Sequence, residues 1–457
     1  MHHTTNVSQS QDTIHINSQI DAFFKGFSIG TLLDRAGIRK RHGYRICSLI
    51  KTIFTLPFIG KNFFRGIVIN DDLAFGKDAA YHVLKCEKYN WRKLLLTLAV
   101  KLHGFFARLT GDDRQSVLII DDSPYDRSRS KWVELLSRVK DHSTGRYLTG
   151  FRMLTICWSD GFSCLPVDFA LLSSSNAGAR VQDIKKRLDK RTCGYRRRIE
   201  AMEKTTAHLL AMVKRALSAG IKAKYILMDS WYAMPSTIGQ LASQLDVICM
   251  LRKTPKIHYR YGNQRMDLMH IYRRLRKRRG RAKIKASAIV ALSDGTPAKL
   301  VFVRDNRKSD WLALLSTDTS LADDQIVQIY GKRWDIEVFF KMAKQHLKLA
   351  KEIHSRDYDA LIGHTSIVFM RYMFLAYQHR TSVDHRTFGD LFYGCCDELR
   401  DISFIEALYR LLSLALASIR AIGTYCEKSV QSFFDAVIDA ALECVNISKS
   451  KLKTNEL

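Results

Sequence analysis

Four polar residues in the stretch Tyr330-Gly-Lys-Arg333-Trp-Asp-Ile-Glu337-Val-Phe-Phe-Lys-Met-Ala-Lys344 stand at offsets 0, 3, 7 and 14. At about 100° per residue a helix gathers them within roughly 60°, so Tyr330, Arg333, Glu337 and Lys344 share one face. Apolar residues line both edges of that stripe: Ile329, Ile336, Phe340 and Leu347 on one side, Val338, Phe339, Met342 and Leu349 on the other. A helix that is apolar nearly all round, with one narrow charged stripe, is a core helix exposing a site, and it holds the Glu337 carboxylate rigidly. An Arg333/Glu337 ion pair with a snorkelling Lys344 is the alternative reading of the same residues.

Two apolar runs upstream also end on acids. They are Ser116-Val-Leu-Ile-Ile-Asp121-Asp122-Ser123-Pro124 and Lys224-Tyr-Ile-Leu-Met-Asp229-Ser230-Trp231-Tyr232. Both read as buried strands, and open α/β sheets build sites at the carboxyl ends of such strands. Exchanging a phosphodiester bond needs neutralised charge on phosphorus, a deprotonated oxygen nucleophile and a stabilised leaving oxygen. Two divalent ions roughly 3.5–4 Å apart meet all three needs. Carboxylates are the right ligands for Mg2+ or Mn2+. Alternation does not choose between Asp121 and Asp122, because a strand buried on both faces has no period, and each acid also reads as a strand-end cap.

The spacing Y-x2-R-x3-E-x6-K resembles the signature of the DDE transposases of bacterial insertion sequences, in the family named after insertion sequence four. The resemblance implies an RNase H-like catalytic core in which Asp122, Asp229 and Glu337 hold two Mg2+ (or Mn2+) ions. It places the first ligand immediately before the Ser or Thr, hence Asp122, with Asp121 as the alternative. It further implies that Tyr330, Arg333 and Lys344 contact phosphates of the transposon end, work that suits a hydroxyl, a guanidinium and an ammonium. Trp311 matches a tryptophan that stacks on a flipped base in relatives cutting through a DNA hairpin, a core position being its other reading.

The implied activity is cut-and-paste transposition: metal-dependent cleavage at insertion-sequence ends, then strand transfer. The implied partners are double-stranded DNA, as terminal inverted repeats and as target, and a second copy in a homodimer on DNA. Two rivals fit the same residues, a nuclease with this core that does not join ends and a non-catalytic DNA-binding regulator descended from a transposase.

The fold expected around these residues is α/β: an RNase H-like core with a β-rich insertion between the second Asp and the Glu, flanked by helical N- and C-terminal regions. The division runs 1–110 (helical, DNA-binding), 111–255 (core), 256–317 (basic β-rich insertion), 318–375 (core, with the signature helix) and 376–457 (helical). Helical spacing marks the N-terminal part, punctuated by Gly37, Gly43, the basic segment Arg39-Lys40-Arg41-His42 with Arg45, and the loop Asn70-Asp71-Asp72. Residues 151–158 and 162–172, joined by Ser159-Asp160-Gly161, read as a hairpin, with Asp160 a turn residue. Residues 179–218 read as one long charged helix that either tracks phosphates or is simply solvated.

The insertion holds nine cations in thirteen residues, Arg273 to Lys285, including Arg279 and Arg281. It then reads as strands over 284–292 and 299–304, and the strand 310–317 closes it. Net charge is +28, from 73 Lys+Arg against 45 Asp+Glu, so a polyanion is the expected partner. The ten cysteines show neither a disulfide framework nor zinc spacing, which fits a reducing bacterial cytoplasm. The first residues lack a signal-peptide pattern, and the apolar run 411–419 is too short to span a bilayer, so no membrane partner is expected.

Overall fold

The computed structural model describes residues 15–453, apart from 71–72, 112–113, 142–143, 186, 279, 281, 306–309, 382–385, 423–425 and 446–451. Asp71, Asp72, Lys186, Arg279 and Arg281 of the segments singled out above lie outside the described residues.

Among the described residues five α-helices open the chain: α1 (Gln19–Gly26), α2 (Ile29–Arg35), α3 (Ile46–Thr55), α4 (Lys77–Lys85) and α5 (Trp91–Ala107). In α5, Leu94, Leu95, Leu98, Leu102 and Phe106 recur at three and four spacing and are buried, and the Asn90 side chain caps the helix by accepting from the Lys93 N–H at 2.9 Å. The basic residues 39–45 lie outside helices, between α2 and α3, and are largely exposed.

An eleven-stranded mixed sheet follows. Its strands are β1 (Val117–Asp126), β2 (Ser137–Lys140), β3 (Tyr147–Ser159), β4 (Cys164–Leu172), β5 (Tyr225–Met228), β6 (Asp246–Leu251), β7 (Tyr259–Tyr261), β8 (Gln264–Met266), β9 (Ile284–Ala291), β10 (Pro297–Asp305) and β11 (Asp310–Ser316). β3 pairs antiparallel with β1 on one side and with β2 and β4 on the other. β5 lies parallel to β1, and β6 parallel to β5. This half of the sheet, β4-β3-β1-β5-β6, is consistent with an RNase H-like core. β4 and β5 are buried along their whole length, so their apolar runs show no alternation.

Stretch 256–317 is not a separate body. β11 pairs antiparallel with β6, and β10, β9, β7 and β8 continue the same sheet outward. β6 would otherwise be an open edge, which the returning strand covers. Part of the basic run is helical too, since α9 (Leu268–Arg274) contains Arg273 and Arg274.

The long helix expected over 179–218 is two shorter ones, α6 (Cys193–Ala201) and α7 (Thr205–Ser218), after an irregular segment. Val181 and Ile184 of the irregular segment are exposed, so its apolar residues find no core to pack on, and the Thr192 hydroxyl accepts from the Tyr195 N–H at 3.2 Å to start α6. Neither reading of its cations fits Arg198. That guanidinium is fully buried and donates to Glu134 at 2.7 and 2.8 Å and to Asp359 at 2.8 Å. α8 (Pro235–Ala242) starts with Pro235 in its first turn, where the missing N–H costs nothing.

After β11 the chain is helical: α10 (Asp323–Gly331), α11 (Trp334–Gln345), α12 (Tyr358–Thr381), α13 (Phe388–Ile422) and α14 (Glu427–Cys444). α12 runs through the core. Its Arg371, fully buried, pairs with Glu352 at 2.7 Å and donates to the carbonyls of Phe54 at 2.9 Å and Leu347 at 3.0 Å.

Among the described residues, two helices are long and apolar enough to cross a membrane by length and composition. The apolar window of α12 is 94% buried, whereas that of Phe388–Ile419 in α13 is 11% buried. The expectation that no C-terminal segment reaches spanning length is corrected for α13: it counted only the run 411–419, with Ser413 and Ser418 inside it, whereas the helix around that run has few enough charges to keep an 18-residue window apolar.

Candidate active site

The parallel ladder of β1 and β5 positions the first two acidic sites. Its last registered pair is Ile120 with Met228, so one further step along both strands sets Asp121 beside Asp229. Residues paired in a parallel ladder face the same way, and neighbours in sequence face opposite ways. Asp121 and Asp229 therefore share a face, and Asp122 points to the other. β1 does not stop at its acids, as its sequence suggested, but runs on through Pro124 to Asp126 against β3. Only the parallel pairing ends there, which frees the acids on the β5 side.

The four signature residues do not ride on one continuous helix. α10 ends at Gly331 and α11 begins at Trp334, with tight bonds from Lys332 N to Ile329 O (3.1 Å) and Arg333 N to Tyr330 O (3.0 Å) across the joint. The joint sends Tyr330 inward. Its hydroxyl is buried with no protein partner, and burial pushes its titration well up. The oxygen of Tyr330, of which a phosphate contact is expected, does not reach the surface in this arrangement.

Arg333 occupies the centre of the arrangement. One of its terminal nitrogens, Nη1, donates to Asp121 Oδ2 at 3.0 Å and to Glu337 Oε1 at 3.3 Å, and the charges of Asp121, Asp229 and Glu337 all act on it. Burial pushes the Asp121 carboxyl up to about 7, against the pull of Arg333 and with Glu337 and Asp122 adding to the push. Asp122 is held elsewhere. Its Oδ2 accepts from Arg152 at 3.1 Å and from the Tyr232 hydroxyl. Arg152 stands opposite Pro124 on β3, which puts it on the Asp122 face. Of the two first-strand acids, the geometry favours Asp121 over Asp122 as the partner of Asp229 and Glu337.

All of these acids open into one cavity of about 700 Å³, lined also by Lys140, Arg152, Arg252, Lys341 and Lys344. Lys344 is thus where its spacing put it, beside Glu337, which is 41% exposed. Trp311 is not at the cavity. It is 6% exposed, packed 4.7 Å from Tyr272 and 5.0 Å from Phe302 with Lys253 over its ring at 4.1 Å. Of the two readings of Trp311, this packing is that of the core position, since strand β11 is covered on the face that carries it. Asp160, as expected, serves its turn: it accepts from Phe162 N at 2.9 Å and Ser163 N at 2.7 Å.

Sequence reasoning passed over Arg152, Trp231, Tyr232 and Arg252. The signal for Trp231 and Tyr232 was adjacency to Asp229; for Arg152 and Arg252 it lies only in the strand register.

The donor set suits a divalent cation. Carboxylates lining a cavity are hard ligands of the kind Mg2+ and Mn2+ take, and the Asp121 carboxyl, held near 7 by burial with Glu337 and Asp122 adding to the push, is relieved by a cation. Among the described residues no three acids, histidines or cysteines stand close enough together to hold an ion, and Arg333 bridges Asp121 and Glu337.

No curated protein matches this chain. The sequence model of one family, described as DDE superfamily endonuclease, matches residues 70–304, just over half of the 457-residue chain. That match takes in both acid-tipped strands and ends before β11 and the helix carrying Glu337. With acids at the ends of two adjacent parallel strands inside the matched region, this chain belongs to the DDE superfamily endonucleases.

Proposed function

We propose that this endonuclease is a cut-and-paste transposase of the insertion-sequence-four type, with Asp121, Asp229 and Glu337 as its acidic set. The observation that carries the proposal is the convergence of these acids, from β1, β5 and α11, on one cavity rimmed by lysines and arginines. The three carboxylates would hold two Mg2+ or Mn2+ ions, which supply charge neutralisation at phosphorus and an activated oxygen nucleophile. Lys341, Lys344 and Arg252 bind phosphate oxygens of the DNA on either side of the scissile bond. Arg333 neutralises Asp121 and Glu337 in the metal-free protein and, with those acids holding cations, would be available to a phosphate oxygen. Asp122, fixed by Tyr232 and Arg152, keeps the end of β1 in place. Strand transfer uses the same site, the freed 3′-OH taking the place of water.

Handling two ends calls for a homodimer on DNA. The hairpin of α13 and α14 supports it: Phe404, Leu411 and Leu414 on α13 and Phe433 on α14 are all more than half exposed. In a protein of charge +28 this charge-poor stripe is suited to an identical apolar stripe and not to DNA.

The test is cleavage of DNA carrying the ends of the element that encodes this chain, with Mg2+ or Mn2+, by wild type and by Glu337→Gln. End-specific cutting lost in the variant, with DNA binding kept, is the expected result. Joining of a pre-cleaved end by the wild type separates a transposase from a nuclease. Equal cutting by both proteins would make Glu337 a structural acid and overturn the proposal.

A further inference from the structure

A second cavity, of about 370 Å³, adjoins the acid-lined one, and the two share Lys140, Arg152, Trp231 and Tyr232 in their walls. Away from the acids the second cavity adds Arg138 and Lys204, with the hydroxyls of Ser173, Ser174 and Ser175. Four cations face one acid, Glu203, in its lining. Cations interleaved with hydroxyls are what a phosphodiester backbone takes, since most protein–DNA hydrogen bonds go to phosphate and sugar.

Trp231 stands where the two cavities meet. It is 43% exposed, two residues after Asp229, with the Arg252 guanidinium 4.2 Å over its ring and that of Arg152 at 5.6 Å. An arginine held by the face of an indole keeps its N–H edge for a phosphate and loses little freedom on binding one. Arg252 enters the site directly after β6, and Arg152 comes from β3, so rigid strands anchor both.

We infer that the two cavities form one groove carrying the DNA strand that flanks the scissile phosphate, and that Trp231 is a positioning residue holding Arg252 as a phosphate clamp at its bend. This rests on the transposase reading, and extends it to a strand path of about the length of both cavities. The path runs from the acids past Trp231 to Arg138, the serines and Lys204.

The experiment is the salt dependence of binding to end-bearing duplex DNA, measured without metal so that nothing is cut, for the full chain and single variants. Each lost phosphate contact lowers the slope of log K against log salt by about 0.9, which is an affinity drop between 50 and 200 mM salt smaller by about 3.5-fold. Arg138→Ala, Lys204→Ala and Arg252→Ala are expected to show that loss at unchanged thermal stability. Lys428→Ala, on the exposed side of α14, keeps the wild-type slope. Trp231→Ala removes no charge yet is expected to flatten the slope as Arg252→Ala does, while Trp231→Phe keeps it. Wild-type slopes in both Arg138→Ala and Lys204→Ala would overturn the groove, and a wild-type slope in Trp231→Ala would overturn the positioning role. A wild type that binds end DNA no more tightly than unrelated DNA and cuts neither sinks the transposase reading instead, so the two failures are distinct.

Discussion

Asp121→Asn is expected to stabilise the metal-free protein while abolishing its cleavage activity. Burial holds the Asp121 carboxyl at about 7 in the folded chain, whereas an unfolded chain releases that proton near 3.9. A difference of about three pKa units corresponds to about 4 kcal/mol that the ionised carboxylate costs the fold. The sign follows from which state ionises first. Below about pH 4 both states are protonated and the cost is absent. Between about 4 and 7 the unfolded chain ionises while the folded one keeps its proton, so stability falls as pH rises; above about 7 the full cost is present. Asparagine fills the same space without charge, and Arg333 keeps its contact with Glu337 at 3.3 Å. Urea unfolding at pH 5 and pH 8, in the presence of a chelator, should therefore show the variant's advantage growing from about 1.5 to about 4 kcal/mol. Mg2+ should stabilise wild type more at pH 8 than at pH 5, and the variant far less at either, because the cation and the proton compete for one carboxylate. An advantage that does not grow with pH, or an Asp121→Asn protein that still cuts DNA, would falsify both the buried-acid argument and the choice of Asp121.

Trp311→Ala should lose about 3–5 kcal/mol of stability, as core tryptophans do, and leave the salt slope of DNA binding unchanged; normal stability with weakened binding to unpaired ends would restore a base-stacking role. Arg371→Met strands Glu352 in the core and cuts the links from α12 to the carbonyls of Phe54 and Leu347, so thermal unfolding should report a loss of about 3–5 kcal/mol. Phe404→Glu combined with Leu411→Glu should leave monomer stability intact but halve the mass of the DNA complex seen by light scattering; an unchanged mass would place the dimer contact elsewhere.

The elements of this fold were legible wherever local chemistry decides them. The runs ending at Asp121 and Asp229 are rich in β-branched and other large apolar residues, and both are strands; Ser159-Asp160-Gly161 is a turn because Asp160 caps its own loop and Gly161 takes φ +86°. What stayed hidden depends on neighbours distant in sequence. That 256–317 extends the main sheet follows from β6 needing a partner on its open side, which no local pattern in the insertion records. The burial of Arg198 depends on Glu134 and Asp359, 64 and 161 positions away, so its charge read as surface.

The choice between Asp121 and Asp122 is the sharpest case. A motif that places the ligand before a serine counts along one chain, while the face an acid presents is set by the parity of a two-strand register. Asp121 lies one step beyond the Ile120 and Met228 pair, and so inherits the side on which Asp229 and α11 lie. Shift that register by one residue and Asp122 would meet Glu337, leaving Asp121 to Arg152 and Tyr232. Adjacent acids at a strand end, though both reach the cavity, thus divide the work by parity: one is set beside Arg333 and Glu337, where burial makes it receptive to a cation, and the other is bonded to Arg152 and Tyr232. The same parity explains why Arg152, across from Pro124, serves Asp122 and not the acid beside it.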